Sequence, residues 1–411
     1  MDEQLFCFDS WRRTAVNSEA VYRKSKNFTT AEMKTFCFEL YHSKHNNRLH
    51  KQINAAGFIY NHCVALNKRY YRLYKKHLDK NKLQKHLVKL KKNEKFSYIR
   101  EIGSQAVQEI TDRIEHGYKL FWKNRENKLK ASPPNFKKIR NYKSFTLKQV
   151  GWKLDEARGM IKLGKRWYRY FKSRNIEGKV KTVTIKRDAV GDIYIYLVCD
   201  VNAQEVVERT GKIVGYDFGL KKFLTASDGK DIESPLFFAQ SSKVIKTKSK
   251  NLSHKQEKSH NRGRARFELA RAYKKISNQR KDFHFKLARK ICEEYAVICF
   301  EDLNLKGMKK LWGRKISDLG FYKFIQILKY EAGNFGTRII FIDRYYASSQ
   351  ICSECGYKNP EIKDLRIREW KCPECGTEHD RDRNAAINIL RVGASTLRGD
   401  DVRPTSVGSC C

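Results

Sequence analysis

Apolar and polar positions in the first part of the chain predict helices set within a β-rich framework. Residues 35–41 alternate between apolar and polar side chains, which predicts a strand. Apolar residues recur at turns of three, four and seven from about Asn47, and helical spacing returns over 104–130, so both segments are expected to be helices with one packed face. Pro133 and Pro134 end this helical region, because proline cannot continue a helix.

A hairpin is predicted further along. Residues 182–186 and 193–201 alternate around a turn that contains Gly191. Residues 1–33 show no periodicity and are expected to be a loosely ordered extension. The predicted divisions of this half are the extension (1–33), a β-rich domain in two pieces (34–46 and 131–205) and a helical lobe inserted between them (47–130).

The pattern changes from residue 212 onward, where short apolar runs alternate with helical segments. The predicted strands are 213–218, 223–227, 296–301 and 338–343. A long helical region at 243–290 separates the second strand from the third. Its narrow apolar stripe is expected to contact the core and consists of Leu269, Tyr273, Ile276, Phe283, Leu287 and Ile291.

The chain is strongly basic, with 86 Lys and Arg against 45 Asp and Glu and a net charge of +41. This surplus repels the chain from itself unless a polyanion neutralises it, which points to a nucleic acid or an anionic surface. Two dense basic blocks cover 64–95, interleaved with tyrosines, and 243–290. Either block can also be an ordinary solvated helix face. A hydrophobic content of 40% argues against wholesale disorder.

Membrane insertion and secretion are not expected. The longest apolar runs, such as 296–300, fall far short of the roughly twenty residues of a spanning helix. The first thirty residues mix acids and bases without the apolar segment of a secretory signal. We therefore expect a protein of the reducing cytoplasm, in which the twelve cysteines are metal ligands or small buried side chains rather than disulfides.

Three acids stand at the ends of two predicted strands and at the start of a predicted helix. Asp217 lies near the end of one apolar run, Glu301 closes another, and Asp382 precedes small and apolar residues that suit a helix packed on a sheet. Three carboxylates brought together in this way can hold two Mg²⁺ ions about 4 Å apart, which stabilises both the attacking and the leaving oxygen in phosphodiester cleavage. Asp217, Glu301 and Asp382 are therefore the candidate catalytic residues and magnesium ligands.

Each of these acids is also what an ordinary turn or helix cap would place there, since Asp favours turns. Asp302 follows Glu301 and would point to the opposite face of the sheet. Asp228, Asp343 and Asp380 are further candidates, which we interpret as turn or surface acids.

Four cysteines obey a strict spacing of C-x₂-C, sixteen residues, C-x₂-C, with a glycine directly after each pair. They are Cys352, Cys355, Cys372 and Cys375. Two such turns place four thiolates tetrahedrally around one Zn²⁺. Since four sulfurs close the site, the zinc is predicted to be structural, and the nearby His379 is not needed as a ligand. The other eight cysteines, Cys410 and Cys411 among them, are interpreted as structural or incidental.

These segments together resemble the TnpB family, the RNA-guided endonucleases with a RuvC-type nuclease that small transposons encode, and through them the smallest type V CRISPR effectors. The resemblance rests on G-Y-D-F-G-L at 215–220, F-E-D-L at 300–303, the four-cysteine ribbon and D-R-D-R-N-A-A-I-N-I at 380–389. The ribbon directly before the last motif is the most specific feature. By the order of its elements, the resemblance covers about nine-tenths of the chain.

The resemblance implies a multidomain α+β and α/β fold. An RNase H-like (RuvC) core at 206–348 and 379–392 would carry the inserted zinc ribbon (349–378) and be followed by a tail (393–411). The β-rich domain would be a β-barrel-like wedge, and the helical lobe would be the recognition lobe. Asp217, Glu301 and Asp382 match the family's catalytic acids, with Asp382 rather than Asp380 as the last, and the four cysteines match its zinc ligands.

The expected partners are a guide RNA and a double-stranded target DNA with a short flanking motif, bound by a monomer with one RNA in a prokaryotic, nucleoid-associated setting. Base pairing would supply the sequence choice, and two Mg²⁺ ions would serve the cleavage. Three alternatives remain open from the residues. They are a nuclease-inactive RNA-guided repressor, an unguided structure-specific nuclease of RuvC type, and a zinc-ribbon nucleic-acid-binding protein without enzymatic activity.

Overall fold

A computed structural model describes residues 31–202 and 209–398 of the 411-residue chain. The chain divides into two compact units, Met1–Gln204 and Glu205–Cys411. None of the described helices is both long and apolar enough to cross a membrane.

The first unit combines two antiparallel sheets with helices. Its strands are β1 (Ala31–Glu39), β2 (Ser144–Leu147), β3 (Trp152–Asp155), β4 (Met160–Leu163), β5 (Arg166–Arg169), β6 (Lys179–Arg187) and β7 (Ile193–Asn202). The larger sheet has the order β1-β7-β6-β2, and the smaller has the order β3-β4-β5. An isolated bridge between Leu40 and Tyr170 joins the end of β1 to the chain after β5.

The helices of this unit are α1 (Asn46–Tyr74), α2 (Lys80–Leu90) and α3 (Ser104–Glu126). Their buried side chains, such as Ile53 and Ile110, share one hydrophobic core with Phe38 of β1 and Ile195 of β7. Burial alternates along β7 because one face of the strand packs on this core and the other does not. This explains the alternation of apolar and polar residues in its sequence.

The second unit is built on a five-stranded sheet of order β10-β9-β8-β11-β12. Its strands are β8 (Ile213–Phe218), β9 (Lys222–Ala226), β10 (Ile232–Glu233), β11 (Val297–Glu301) and β12 (Arg338–Ile342). Strands β8, β11 and β12 run parallel, whereas β9 is antiparallel to β8 and β10 is antiparallel to β9. The central strands are buried on both faces, which explains their continuous apolar runs.

Helices cover both faces of this sheet. They are α4 (Phe237–Gln240), α5 (Ser242–Ser253), α6 (His260–Glu294), α7 (Leu305–Leu319), α8 (Phe321–Phe335) and α9 (Arg381–Arg398). Side chains of α6 and α8, including Leu287 and Phe324, pack with Tyr216 and Phe300 on one face. On the other face, Ile389 of α9 packs with Cys299.

Between β12 and α9 the chain forms a small ribbon with strands β13 (Glu369–Lys371) and β14 (Glu378–Asp380). These strands pair antiparallel, with Trp370 opposite His379. The few buried side chains of the ribbon include Ile362 and Trp370 beside two of the cysteines. The ribbon hairpin therefore continues to Asp380, past the predicted boundary at residue 378.

Both predicted ends of the ordered chain are wrong by a few residues. Strand β1 begins at Ala31, which pairs with Asn202, so ladder hydrogen bonds order residues 31–33 despite their weak pattern. Helix α9 continues to Arg398, and its Gly393 lies against Cys299 of the sheet, so residues 393–398 belong to the packed helix rather than to a tail. Residues 1–30 and 399–411 lie outside the described part of the chain.

The apolar stripe at 269–291 is only partly a core contact. Leu269, Ile276, Leu287 and Ile291 are buried, as expected, but Tyr273 is 46% exposed. The ring of Tyr273 lies parallel to that of Phe238 at 6.5 Å. The prediction for Tyr273 is wrong because helical spacing shows which residues share a face and not how far along a long helix that face is covered.

Candidate carboxylate site and cysteine cluster

The sheet register places Asp217 and Glu301 side by side. Strands β8 and β11 are parallel, with Cys299 opposite Gly215 and Phe300 opposite Tyr216. Continuing this register by one residue brings Glu301 level with Asp217. Because side chains alternate along a strand, Asp217 shares a face with Gly215, and Glu301 shares that face with Cys299.

Helix α9 covers this same face and brings Asp382 to it. A Cβ on Gly215 would lie 2.6 Å from the Leu390 backbone nitrogen, and a Cβ on Gly393 would lie 2.8 Å from the Cys299 Cβ. Both glycines are therefore needed for the close approach of helix and sheet. Asp382 lies in the first turn of α9, and its charge acts on Asp217.

The charges of the other two acids act on Asp217. Burial, followed in size by the negative charges of Asp382 and Glu301, raises the pKa of the Asp217 carboxyl to about 8. Burial also raises the pKa of Glu301. Clustered acids with raised pKa values are typical of functional sites, because crowding of like charge is costly without a cation or a bound proton.

Glu301 and Asp302 contact different partners. The Ser348 hydroxyl donates to Glu301 Oε2 at 3.3 Å, whereas Arg344 forms an ion pair with Asp302. The Asp302 backbone nitrogen donates to the Ile342 carbonyl and so continues the pairing with β12. The chain after β12 thus supplies a hydrogen-bond donor to the carboxylate of Glu301.

Asp382 is paired with an arginine of the ribbon. Arg368 Nη1 donates to Asp382 Oδ1 at 3.2 Å. Arg381 is buried and donates to the Asp364 carbonyl at 2.7 Å, which fixes the chain at the start of α9. All three acids are described, and they do not bring one oxygen each to within 4.8 Å of one another. Because Arg368 forms an ion pair with Asp382, its guanidinium neutralises part of the negative charge of that carboxylate.

The donor set fits a hard divalent cation. Carboxylate oxygens are the ligands that Mg²⁺ prefers, and the charges of Asp382 and Glu301 act on the buried Asp217 carboxyl. The arrangement can therefore hold Mg²⁺ through Asp217, Glu301 and Asp382, the residues proposed from the sequence.

The other acids considered from the sequence have structural partners. Asp228 accepts a hydrogen bond from the Tyr295 hydroxyl at 2.5 Å, and Asp343 accepts one from the Tyr345 backbone nitrogen at 2.7 Å. Asp380 accepts from the Arg383 backbone nitrogen at 2.8 Å, which satisfies a free N–H group at the start of α9. All three are also exposed, which supports their interpretation as turn or surface acids.

The four cysteines of the ribbon form one cluster, with all four Sγ atoms within 4.8 Å of one another. Cys352 Sγ lies 3.6 Å from Cys375 Sγ, and Cys355 Sγ lies 3.6 Å from Cys372 Sγ. The two C-x₂-C turns are alike: the backbone nitrogens of Gly356 and Gly376 donate to the carbonyls of Cys352 and Cys372. This arrangement can hold one structural zinc ion through four sulfurs.

His379 lies beside the cluster without belonging to it. Its Nε2 is 3.0 Å from Cys352 Sγ, and its ring packs on Trp370 at 4.8 Å. Imidazole N–H groups often support metal ligands in this way. Of the other cysteines that the structure describes, Cys37 is half-buried and four are buried: Cys63, Cys199, Cys292 and Cys299. Cys410 and Cys411 lie outside the described residues.

The sequence reasoning missed Ser348, Arg368 and Arg381. Nothing in the local pattern marks Ser348 as a partner of Glu301, since 47 residues separate them. Arg368 lies between the two cysteine turns, and its sequence context does not distinguish it from the other basic residues there. The position of the ribbon directly before Asp382 is the one signal that could have pointed to Arg368.

Comparisons with known proteins agree with this architecture. A family model described as Probable transposase matches residues 196–311, and one described as Cas12f1-like, TNB domain, matches residues 321–389. The two matches contain all three acids and all four cysteines.

Relatives extend the similarity over most of the chain. A protein of Streptomyces pristinaespiralis, provisionally named an RNA-guided DNA endonuclease, is 30% identical over 325 residues, which cover 77% of this chain and 79% of the relative. InsQ of Escherichia coli strain K12, with the same provisional name, is 28% identical over 363 residues, covering 84% and 88%. The TnpB-like protein L79 of Acanthamoeba polyphaga mimivirus is 32% identical over 236 residues, covering 52% and 43%.

A solved structure shares the fold. The chain in a cryo-EM structure of a Cas12f1, sgRNA and target DNA complex matches with a TM-score of 0.53 at 13% identity. The match covers 88% of this chain and 99% of the Cas12f1 chain. At this identity the similarity concerns the fold alone.

Proposed function

Since the chain belongs to the TnpB family, we propose that it is an RNA-guided DNA endonuclease that cleaves double-stranded DNA complementary to its guide. The observation that carries this proposal is that the register of β8 and β11 sets Asp217 beside Glu301, and that burial, with the charges of Asp382 and Glu301, raises the pKa of Asp217 to about 8. The provisional names of the two relatives from Streptomyces pristinaespiralis and Escherichia coli support the same activity.

The second unit is proposed as an RNase H-like nuclease of RuvC type. Its strand order, with three parallel strands and an antiparallel pair at one edge, fits that fold. Asp217, Glu301 and Asp382 would hold two Mg²⁺ ions. Bound magnesium would activate water and neutralise charge on the phosphate that is cleaved. Ser348 would orient the Glu301 carboxylate through its hydrogen bond.

The ribbon is proposed to bind one structural Zn²⁺ through Cys352, Cys355, Cys372 and Cys375. Four thiolates leave no open position on the ion, so its contribution would be to folding. The ribbon in turn carries Arg368, which reaches Asp382. The ribbon also fixes the start of α9, because the Arg381 guanidinium donates to the Asp364 carbonyl. Zinc would therefore support the nuclease site indirectly, by holding the first turn of α9, where Asp382 lies.

The first unit is proposed to bind the guide RNA and to recognise a short motif beside the target. The wedge (34–46 and 131–205) and the recognition lobe (47–130) would divide this work. The net charge of +41 supports a permanent polyanion partner, since each neutralised phosphate adds salt-dependent affinity. Base pairing between guide and target would then choose the sequence.

The decisive experiment uses the full chain purified with its copurifying RNA. Sequencing that RNA identifies the guide, and a plasmid with the matching target then tests Mg²⁺-dependent cleavage. Asp217→Ala is expected to abolish cleavage and to leave RNA and DNA binding intact, because it removes a metal ligand and no nucleic-acid contact. Asp282→Ala, an exposed acid of α6, is the matched control and should cleave normally.

The outcomes also separate the alternatives. Equal cleavage by Asp217→Ala would show that the carboxylate site is wrongly assigned. Cleavage of branched DNA without any RNA would identify an unguided nuclease. Guided binding by the wild-type chain with no cleavage in Mg²⁺ would identify a repressor, and binding without a guide or cleavage would leave a zinc-ribbon binding protein.

A further inference from the structure

The small sheet of the first unit has one buried face and one aromatic and basic face. Ile161, Leu163 and Tyr168 turn into the hydrophobic core. On β5, Trp167 and Arg169 alternate with Tyr168 and are exposed. The register sets Lys162 opposite Trp167, and Lys162 in turn lies opposite Lys153, so two lysines extend the exposed face across the sheet.

A stacked pair of aromatic rings continues this face beyond β5. The rings of Tyr41 and Phe171 lie 3.7 Å apart with an interplanar angle of 22°. Backbone hydrogen bonds fix both residues: the Tyr41 nitrogen donates to the Arg169 carbonyl, and the Phe171 nitrogen donates to the Glu39 carbonyl, each at 2.9 Å. The Arg169 guanidinium lies 5.0 Å from the centre of the Tyr41 ring.

These aromatic side chains remain open to solvent. Tyr41 is 38% exposed, Trp167 is 42% exposed and Phe171 is 45% exposed. Large apolar groups gathered on one exposed face are unfavourable in water and usually mark a binding surface. The lysines and the arginine among them favour an anionic partner that also has flat apolar surfaces, which is the chemistry of a nucleic acid.

The spacing of the rings favours unpaired bases. The backbone positions of Trp167 and Phe171, four residues apart on an extended chain, are about 13 Å apart, and both side chains are exposed. Successive bases of a duplex are only about 3.4 Å apart, and their faces are covered by one another. Ring surfaces on backbone positions this far apart are instead suited to two separate, unstacked bases of a single strand.

We propose that Trp167 and the Tyr41–Phe171 pair form a stacking surface for unpaired bases of the guide RNA, with Arg169 and Lys162 facing its phosphates. The identification of the RNA as the guide rests on the proposed function. A guide is favoured over target DNA because an exposed aromatic surface is best covered by a partner that stays bound, whereas the target is bound only transiently.

The test measures binding of the full chain, stripped of nucleic acid at high salt, to fluorescent twelve-nucleotide probes. The probes are oligo(rA), oligo(dA) and an abasic ribose-phosphate strand of the same length. Trp167→Leu and Phe171→Leu should each weaken oligo(rA) binding by about 5- to 150-fold, the usual range for one stacked base, while binding of the abasic strand stays unchanged. Trp167→Phe, which keeps a ring, should restore much of the loss.

Two further measurements separate stacking from charge and from general damage. The salt dependence of oligo(rA) binding should be unchanged in Trp167→Leu, but shallower in Arg169→Ala, which loses a phosphate contact. Tyr330→Ala removes a ring that is 52% exposed on α8 and should leave binding unchanged.

Equal losses on the abasic strand, or no loss in either leucine variant, would overturn the stacking surface. Tighter binding of oligo(dA) than of oligo(rA) by the wild-type chain, with the larger loss in Trp167→Leu on oligo(dA), would assign the surface to DNA and overturn the choice of RNA. Since none of these measurements depends on cleavage, a failure of the nuclease assignment in Asp217→Ala would be recognised separately.

Discussion

The carboxylate site and the cysteine cluster lie in the same unit but are assembled in opposite ways. The four cysteines fall within 24 consecutive residues, and two short turns bring them together. Asp217 and Glu301 are 84 residues apart, and Glu301 and Asp382 are 81 apart. Their meeting depends on the parallel pairing of β8 with β11 and on the docking of α9.

The two regions also differ in what stabilises them. Beneath the carboxylate site lies an extensive apolar core that includes Tyr216, Phe300 and Phe324. The ribbon buries few apolar side chains, so a metal held by its four cysteines would supply much of its stability. A site formed by residues close in sequence can therefore be built in a fold with a small core. A site formed by distant residues needs an extensive core to hold its segments together.

The largest expected effect comes from Asp382→Asn, which removes one carboxylate and keeps the size of the side chain. Single-turnover cleavage should fall by about 10³-fold or more, because a metal ligand is lost. Zinc content, measured by atomic emission, should not change.

The matched control is Asp380→Asn, two residues away, whose amide oxygen can still accept from the Arg383 nitrogen. It should cleave at close to the wild-type rate. Loss of cleavage in Asp380→Asn with normal cleavage in Asp382→Asn would reverse the assignment of the third acid.

Cys372→Ser should act on the ribbon first and on cleavage second. Bound zinc should fall from one per chain to well below one. Cleavage should drop by about 10- to 100-fold because the ribbon no longer holds the first turn of α9, which carries Asp382, through the hydrogen bond from Arg381 to the Asp364 carbonyl. Cys37 is a half-buried cysteine of β1 outside the cluster, so the Cys37→Ser chain should still bind one zinc ion in the ribbon. Full cleavage by a zinc-free Cys372→Ser chain would show that the two sites are independent.

The free energy of unfolding should depend on pH through His284, which lies in the core beneath the carboxylate site. Burial, with smaller contributions from the charges of Arg280 and Lys323, lowers the pKa of His284 to about 4, although its Nε2 bonds the Leu319 carbonyl at 3.0 Å. The unfolded chain takes up this proton near pH 6.5, so stability is complete above that pH and is lost as the pH falls toward 4.

Between pH 7 and pH 5 this linkage amounts to about 2 kcal/mol. His284→Gln should therefore lose less free energy of unfolding over this interval than the wild-type chain in urea titrations. His254→Gln, at an exposed position, is the control. Parallel pH profiles for wild type and His284→Gln would contradict the prediction.

The smallest expected effect concerns the contact between the two regions. Arg368 neutralises Asp382 and competes with a cation for it, and the pair is partly exposed. Arg368→Ala should lower the Mg²⁺ concentration for half-maximal cleavage by about 2- to 5-fold, within the range of an exposed ion pair. Arg366 pairs with Asp364 instead, so Arg366→Ala should leave the Mg²⁺ requirement unchanged. A higher Mg²⁺ requirement in Arg368→Ala would mean that this arginine supports the site.

Several features were predictable because they depend on neighbours in the chain. The spacing of Cys352, Cys355, Cys372 and Cys375 requires only two turns, and the apolar runs of β8 and β11 reflect burial on both faces. The choice of Asp217, Glu301 and Asp382 came from their positions at the ends of such runs and from the resemblance to the TnpB family. Their roles in catalysis stay a prediction.

Other features could not be read from local patterns. The start of β1 at Ala31 depends on pairing with Asn202, and the length of α9 depends on the contact of Gly393 with Cys299. The exposure of Tyr273 depends on which part of α6 is covered by other elements.

The sequence by itself determined the residues on which the proposals rest: four cysteines with the spacing of a zinc site, three acids with the chemistry of hard metal ligands, and a surplus of basic side chains that favours a polyanion. Only the tertiary structure decided that Asp217 and Glu301 are neighbours, that Ser348 and Arg368 contact the acids, and that the rings of Tyr41 and Phe171 stack. The reason is physical. Side-chain chemistry and short turns are local properties, whereas register, docking and exposure depend on which distant segments pack together.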